Sequence, residues 1–190
     1  MTDDRASEVE RFYDFHPINA RQILDAVAAR GIAPDAITED VLQQHDQDHY
    51  GGTTATDRLI AEAAVRAEDV VLDVCSGMGG PARYLAWKTG CDVTGLDLTA
   101  SRVEGATELT RTARLSASVR FVHGNALAMP FQDASFTLAI AKNRSLTSLT
   151  SHDCWPNARG CYDRMAGWCS PTSCTGGACR SRTCDGYPKA

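Results

Sequence analysis

The chain has 190 residues, of which 43% are hydrophobic and 23% charged, with a formal net charge of -5. That composition describes an ordinary globular protein long enough to bury a core, and its acidic balance gives no electrostatic footprint for nucleic acid or an anionic membrane. The opening MTDDRASEVERFYDF lacks the apolar run of a secretory signal, and no window approaches the roughly 20 apolar residues of a membrane span. The expectations are a cytoplasmic location with reduced thiols, no nucleic-acid partner, no membrane span and no metal. The oligomeric state is not readable from the chain.

ASEVERFYDF and NARQILDAVAAR space apolar residues three and four apart, as amphipathic helices do. Gly31 and Pro34 punctuate the second, and Thr38 is placed to cap EDVLQQHD. DHYGGTTATD follows as a Gly-Thr turn, and ATDRLIAEAAVRA is again helical. DVVLDVCSG then reads as a short apolar β-branched strand, PARYLAWKTG as a helix stopped by Gly90, and CDVTGLDLT as a second strand. SRVEGATELTRTARL gives a helix, VRFVHGNA a third strand and FTLAIA a fourth. Alternation of this kind predicts an α/β fold with a parallel sheet and right-handed crossovers, preceded by a helical lid.

The chemistry is expected at the strand ends. The first strand runs out through Asp73 into Cys75-Ser76-Gly77-Met78-Gly79-Gly80, where small residues let the backbone approach a ligand at a helix N-terminus. The second ends in Asp97, where a ribose diol is held in nucleotide-binding α/β folds. Together they favour an adenosine-type ligand. The G-x-G-x-x-G of nicotinamide enzymes is absent, which weighs against the alternative of a nucleotide-dependent oxidoreductase.

VLDVCSGMGGPARYLA, VTGLDLT and VRFVHGNALAMPFQDASFTLAI resemble, in order and spacing, the motifs of class I S-adenosylmethionine-dependent methyltransferases. The flavour is that of small-molecule N-methyltransferases of the sarcosine/dimethylglycine and phosphoethanolamine type. The resemblance covers roughly residues 45–140. It implies a Rossmann-like sheet, S-adenosylmethionine as cofactor and a small-molecule acceptor for N- or O-methylation. By position it implies that Asp73, Gly77 and Gly79 line the methionine and ribose portion. Asp97 would hold the ribose hydroxyls and Leu98 pack on adenine, with Asn125 and Ala126 at the adenine edge. Asn125 stands where the family usually has Asp, and Cys75 replaces the loop's usual first glycine. His49 and Tyr50 are the candidates to lie over the transferring methyl group and assist an acceptor amine. The divisions are a helical lid over 1–52, an incomplete cofactor domain over 53–141 and a tail over 142–190.

The tail departs from the family. GCYDRMAGWCSPTSCTGGACRSRTCDG carries five of the eight cysteines. A zinc-binding module on a truncated nucleotide-binding fold is the non-enzyme alternative, but Cys169, Cys174, Cys179 and Cys184 repeat evenly, without paired knuckles or histidine. A shifted reading frame explains more. If each true codon joins the third base of one codon to the first two of the next, His152 to Pro156 force Arg-Leu-Leu-Ala. In the same way Cys161 to Asp163 force Leu-Arg, Met165-Ala166 forces Gly and Trp168-Cys169 forces Val. The remainder permits the family's helix, turn and strand. The tail is therefore expected to be out of frame, irregular and disordered.

Overall fold

The computed structural model describes residues 11–12, 18–46 and 51–141, with four short strands in the tail at 161–163, 167–169, 174–175 and 178–179. Helix α1 (Ala20–Ala29) starts at Asn19, whose side-chain oxygen accepts from the Gln22 N–H, and buries Ala20, Ile23 and Val27. A 3-10 turn at Pro34–Ala36 leads to α2 (Glu39–Leu42). Thr38 does not cap it by side chain as expected: its hydroxyl donates to the neighbouring Asp40 carboxylate instead. Helix α3 (Gly52–Ala63) begins immediately after Gly51, whose φ of 79° is the left-handed start. The Gly-Thr turn expected over 48–57 thus gives way to helix from Gly52 on, because Gly51 and Gly52, at φ 79° and 52°, complete the reversal between them.

Strands β1 (Val70–Val74), β2 (Asp92–Asp97), β3 (Val119–His123) and β4 (Leu138–Ala141) alternate with α4 (Gly80–Thr89) and α5 (Ala100–Thr112). Gly90, at φ 80°, ends α4 as its sequence predicts. In the tail, β5 (Cys161–Asp163) runs parallel beside β4, and β6 (Gly167–Cys169) is antiparallel to β5, giving the order β3-β2-β1-β4-β5-β6. A separate hairpin joins β7 (Cys174–Thr175) and β8 (Ala178–Cys179). The segment expected to be irregular therefore carries strand at these residues, with Cys161 opposite Cys169 and Cys174 opposite Cys179 in register.

Period-two alternation divides the sheet into two faces. Val71, Val93, Val119, Leu138 and Ile140 pack under Leu59 of α3 and Ala82, Leu85 and Ala86 of α4. On the other face Leu72, Val74, Leu96, Ala139 and Ala141 meet Phe136, Met129 and Phe131, so that cluster draws on strands and the 126–136 connection with no helical residue. A third cluster seats α1 and Leu42 on Met78 and Leu109. Each fully buried aliphatic side chain contributes about 1.5–3 kcal/mol. At the entry to β4, the Thr137 hydroxyl donates to Asp69 and accepts from the Val70 N–H, stitching β4 to β1. Among the described residues no helix is long and apolar enough to cross a membrane.

Candidate functional site

The C-terminal ends of β1, β2 and β3 lie side by side, with Asp97 paired to His123 across the sheet. The loop from Cys75 to Gly79 turns β1 into α4. Asp97 ties that loop down: one carboxylate oxygen accepts from the Gly77 N–H at 2.7 Å and the other from the Thr99 N–H at 3.0 Å. A carboxylate has about four lone-pair sites, so acceptor capacity for hydroxyls remains. Leu98, half-buried, follows directly, and its carbonyl accepts from His123 Nε2 at 2.7 Å, which puts the ring proton on that nitrogen.

The loop glycines divide their duties. At Gly77, φ 55°, an added Cβ would meet nothing within 4 Å, so the chain there borders open space. At Gly79, φ 78°, a Cβ would meet the Phe121 ring at 2.3 Å, and the Gly79 N–H is used by the Ser76 carbonyl at 2.9 Å. Gly77 therefore faces room for a ligand and Gly79 faces the sheet. Cys75 adopts φ 58° without being glycine, the left-handed geometry its loop position demands. Burial, and then the charges of Asp97 and Asp73, push its thiol up to about 12, which favours the protonated form at neutral pH. The same two carboxylates make this end of the sheet negative, which suits a cationic ligand.

Asp73, the penultimate residue of β1, is buried. Asn125 is exposed after β3, and its side-chain oxygen accepts from the Leu127 N–H at 2.8 Å, leaving a second lone pair. Beside it Ala126 packs on the strand cluster, while Leu127 is 71% exposed and forms an apolar rim. The structure thus brings Asp73, Gly77, Gly79, Asp97, Leu98, Asn125 and Ala126 to one end of the sheet. His49 and Tyr50 lie outside the described residues.

Sequence reasoning missed the residue beneath the loop. Arg83 of α4 is fully buried and donates from Nε to Glu39 at 3.0 Å, from one terminal nitrogen to the Met78 carbonyl at 2.7 Å, and from the other to Asp46. Gln43 donates to Glu39 and to the Gly80 carbonyl. Glu39 is pushed up to about 7 by burial, against the opposing pull of Arg83. The available signal was an arginine inside the apolar run PARYLA, with two acids seven residues apart in EDVLQQHD.

Residues 71–168 match the family described as methyltransferase domain, and the chain belongs to it. The match runs past Ala141 into the tail. Methyltransferase GfsG of Streptomyces halstedii is 32% identical over 140 residues, covering 72% of this chain and 47% of that protein. A sterol 24-C-methyltransferase of Eremothecium gossypii is 38% identical over 78 residues, 41% of this chain and 21% of its own length. The chain therefore spans less than half the length of these curated relatives. The crystal structure of the (4+2)-cyclase SpnF superposes with a TM-score of 0.52 at 24% identity, over 72% of this chain and 48% of that one, which shows the shared fold.

The cofactor of this family is S-adenosylmethionine. The residues present fit it: open space at Gly77, an Asp97 carboxylate with lone pairs to spare, and a negative environment for a sulfonium and an ammonium group.

Proposed function

We propose that this chain is the cofactor-binding portion of a methyltransferase acting on a small molecule, with Asp97 as the ribose ligand. The observation that carries the proposal is Asp97 itself, which anchors Gly77 from the end of β2 while keeping acceptor capacity beside open space. When bound, S-adenosylmethionine supplies an activated methyl group that passes to an acceptor lone pair as the carbon–sulfur bond breaks. Positioning does most of the remaining work. Asp97 holds the ribose hydroxyls and Leu98 packs on adenine, Asp73 with Gly77 and Gly79 lines the methionine and ribose portion, and Asn125 with Ala126 borders adenine. His49 and Tyr50 are the proposed pair for relieving an acceptor amine of its proton. The relatives named for sterols extend the acceptor panel from small amines and carboxylates to apolar polycyclic molecules.

The test is calorimetric titration with S-adenosylhomocysteine. Asp97→Ala should weaken binding roughly ten- to a hundred-fold, the worth of a charged hydrogen bond. Equal affinity in the variant would mean that the ribose lies elsewhere, and tight nicotinamide binding would restore the oxidoreductase alternative.

We further propose that 142–190 is an out-of-frame segment. The forced alternative-frame residues from His152 to Cys169 support this reading. The family match to residue 168 and the pairing of β5 with β4 pull the other way, since both claim tail residues for the domain. Sequencing the coding DNA around Ala141 decides between them: an inserted or deleted base there establishes the shift, and an intact frame ends it.

A further inference from the structure

We propose that Arg83 is a positioning residue that couples the seating of the 39–46 segment to the shape of the glycine loop, so that cofactor affinity depends on this buried contact. The proposal rests on the S-adenosylmethionine reading above. Arg83 sits at 0% exposure, Glu39 at 1% and Asp46 at 1%, so the contact is inside the molecule and not a surface pair. The guanidinium faces three acceptors at once: Glu39 at the start of α2, Asp46 at the far end of the same segment, and the Met78 carbonyl in the loop. Met78 directly follows Gly77, whose N–H is held by Asp97. A continuous set of direct contacts therefore runs from the N-terminal segment through Arg83 and the loop to the ribose carboxylate.

Two further features make the seating close. An added Cβ on Gly80 would meet the Asp46 backbone oxygen at 2.8 Å, so the segment lies flush on the first turn of α4. The Met78 side chain packs with α1 and α5, so moving the loop disturbs the same cluster that holds the segment. Only a planar fork with several fixed donors serves three acceptors in this way, and a lysine ammonium is a point charge on a flexible stem.

An ordinary structural ion pair would lower the stability of its variants without changing how the folded molecules bind. The experiment separates the two. S-adenosylhomocysteine affinity and melting temperature are measured for the 190-residue chain, Arg83→Lys, Asp46→Asn and Glu39→Gln, together with backbone hydrogen exchange over 39–46 and 76–80. Arg83→Lys should bind roughly ten-fold more weakly while still folded and exchange faster at 76–80. In the unmodified chain the ligand should slow exchange at 39–46. Glu39→Gln, which keeps the hold on Met78 and Asp46, should fall between the two in affinity. If Arg83→Lys does not fold, Asp46→Asn carries the test with the smaller loss expected of Glu39→Gln, because it too weakens one arm of the fork and keeps its shape. Lower melting temperatures with unchanged affinity and unchanged exchange at 76–80 would overturn the coupling and leave the cofactor reading standing. An unmodified chain that binds no S-adenosylhomocysteine would overturn both.

Discussion

Cys75 occupies a backbone position that favours glycine, and it does so beside two carboxylates. A left-handed conformation costs a non-glycine residue about 1–2 kcal/mol, and a β-branched residue is worse suited to it. Cys75→Val should therefore destabilise the protein by about 1–3 kcal/mol despite its greater apolar area. In Cys75→Gly, relief of strain offsets the lost packing, and the unfolding midpoint should move by less than about 1 kcal/mol. Urea titration of the two variants checks both. Because its thiol is pushed up to about 12, Cys75 should resist iodoacetamide at pH 8 until the fold opens, as peptide mass spectrometry of labelled protein would record. At this scale Asp97 and Gly77 were legible, since a strand-terminal acid and a small-residue loop announce themselves by position. Arg83 was not. In GGPARYLAWKTG it looks like the polar stripe of an exposed helix, and only the docking of Glu39 and Asp46 turns it inward.

The junction between α2 and α4 makes two claims on element-scale energetics. Glu39 is the first. Arg83 on α4 faces its carboxylate, with Gln43 and Asp46 of its own segment, and the net effect of burial is a folded value of about 7 against an ordinary 4.5. A raised folded value means the native state binds this proton more tightly. The associated stability is fully present below pH 4.5 and is lost as pH rises through 7. At about 1.4 kcal/mol per unit it amounts to at most about 3 kcal/mol. Glu39→Gln should remove this component, so the stability difference between wild type and variant should shift in favour of wild type as pH falls from 7.5 to 5. A pH-independent difference in urea midpoints would refute it. Gly80 is the second. Gly80→Ala drives a methyl group into backbone and should destabilise by about 1–3 kcal/mol. Gly105→Ala meets the Met78 methyl at 2.6 Å and the Ala20 Cβ of α1 at 3.3 Å, so the helix propensity it gains, about 1 kcal/mol, is offset by crowding, and it should destabilise less than Gly80→Ala. The pattern of apolar residues recovered the helices and strands of 20–141: a single apolar stripe marks α1, whereas β1 and β4, buried on both faces, read as short, nearly continuous apolar runs. It misleads at 52–54, where glycine and threonine suggest a turn although Gly51 and Gly52, both at positive φ, complete the reversal and the helix begins at once.

Among the described residues, one sheet face is roofed by α3 and α4 while the other is met by the 126–136 connection and by no helical residue of its cluster. The sequence made the first arrangement legible, because the helices of 53–141 are in place. Past Ala141 the sequence offers no hydrophobic period from which a covering for the second face could be read. On the proposal that 142–190 is out of frame, the 190-residue chain should bind S-adenosylhomocysteine weakly and transfer little methyl group. A form with the frame restored near Ala141 and extended to the length of its relatives should turn over. Parallel assays of S-adenosylhomocysteine release against amines, carboxylates and sterols would show it, and equal rates would make the cysteine-rich tail a working part of the enzyme. The strand order has a separate consequence for biosynthesis. β1 is flanked by β2 and β4, yet about sixty residues separate Val74 from Leu138. On the ribosome, at about 5–20 residues per second, one edge of Val-Val-Leu-Asp-Val waits roughly 3–12 s for its neighbour. During that interval the emerging polypeptide presents an apolar strand with one edge unpaired, a length of chain open to misplaced pairing until β4 emerges.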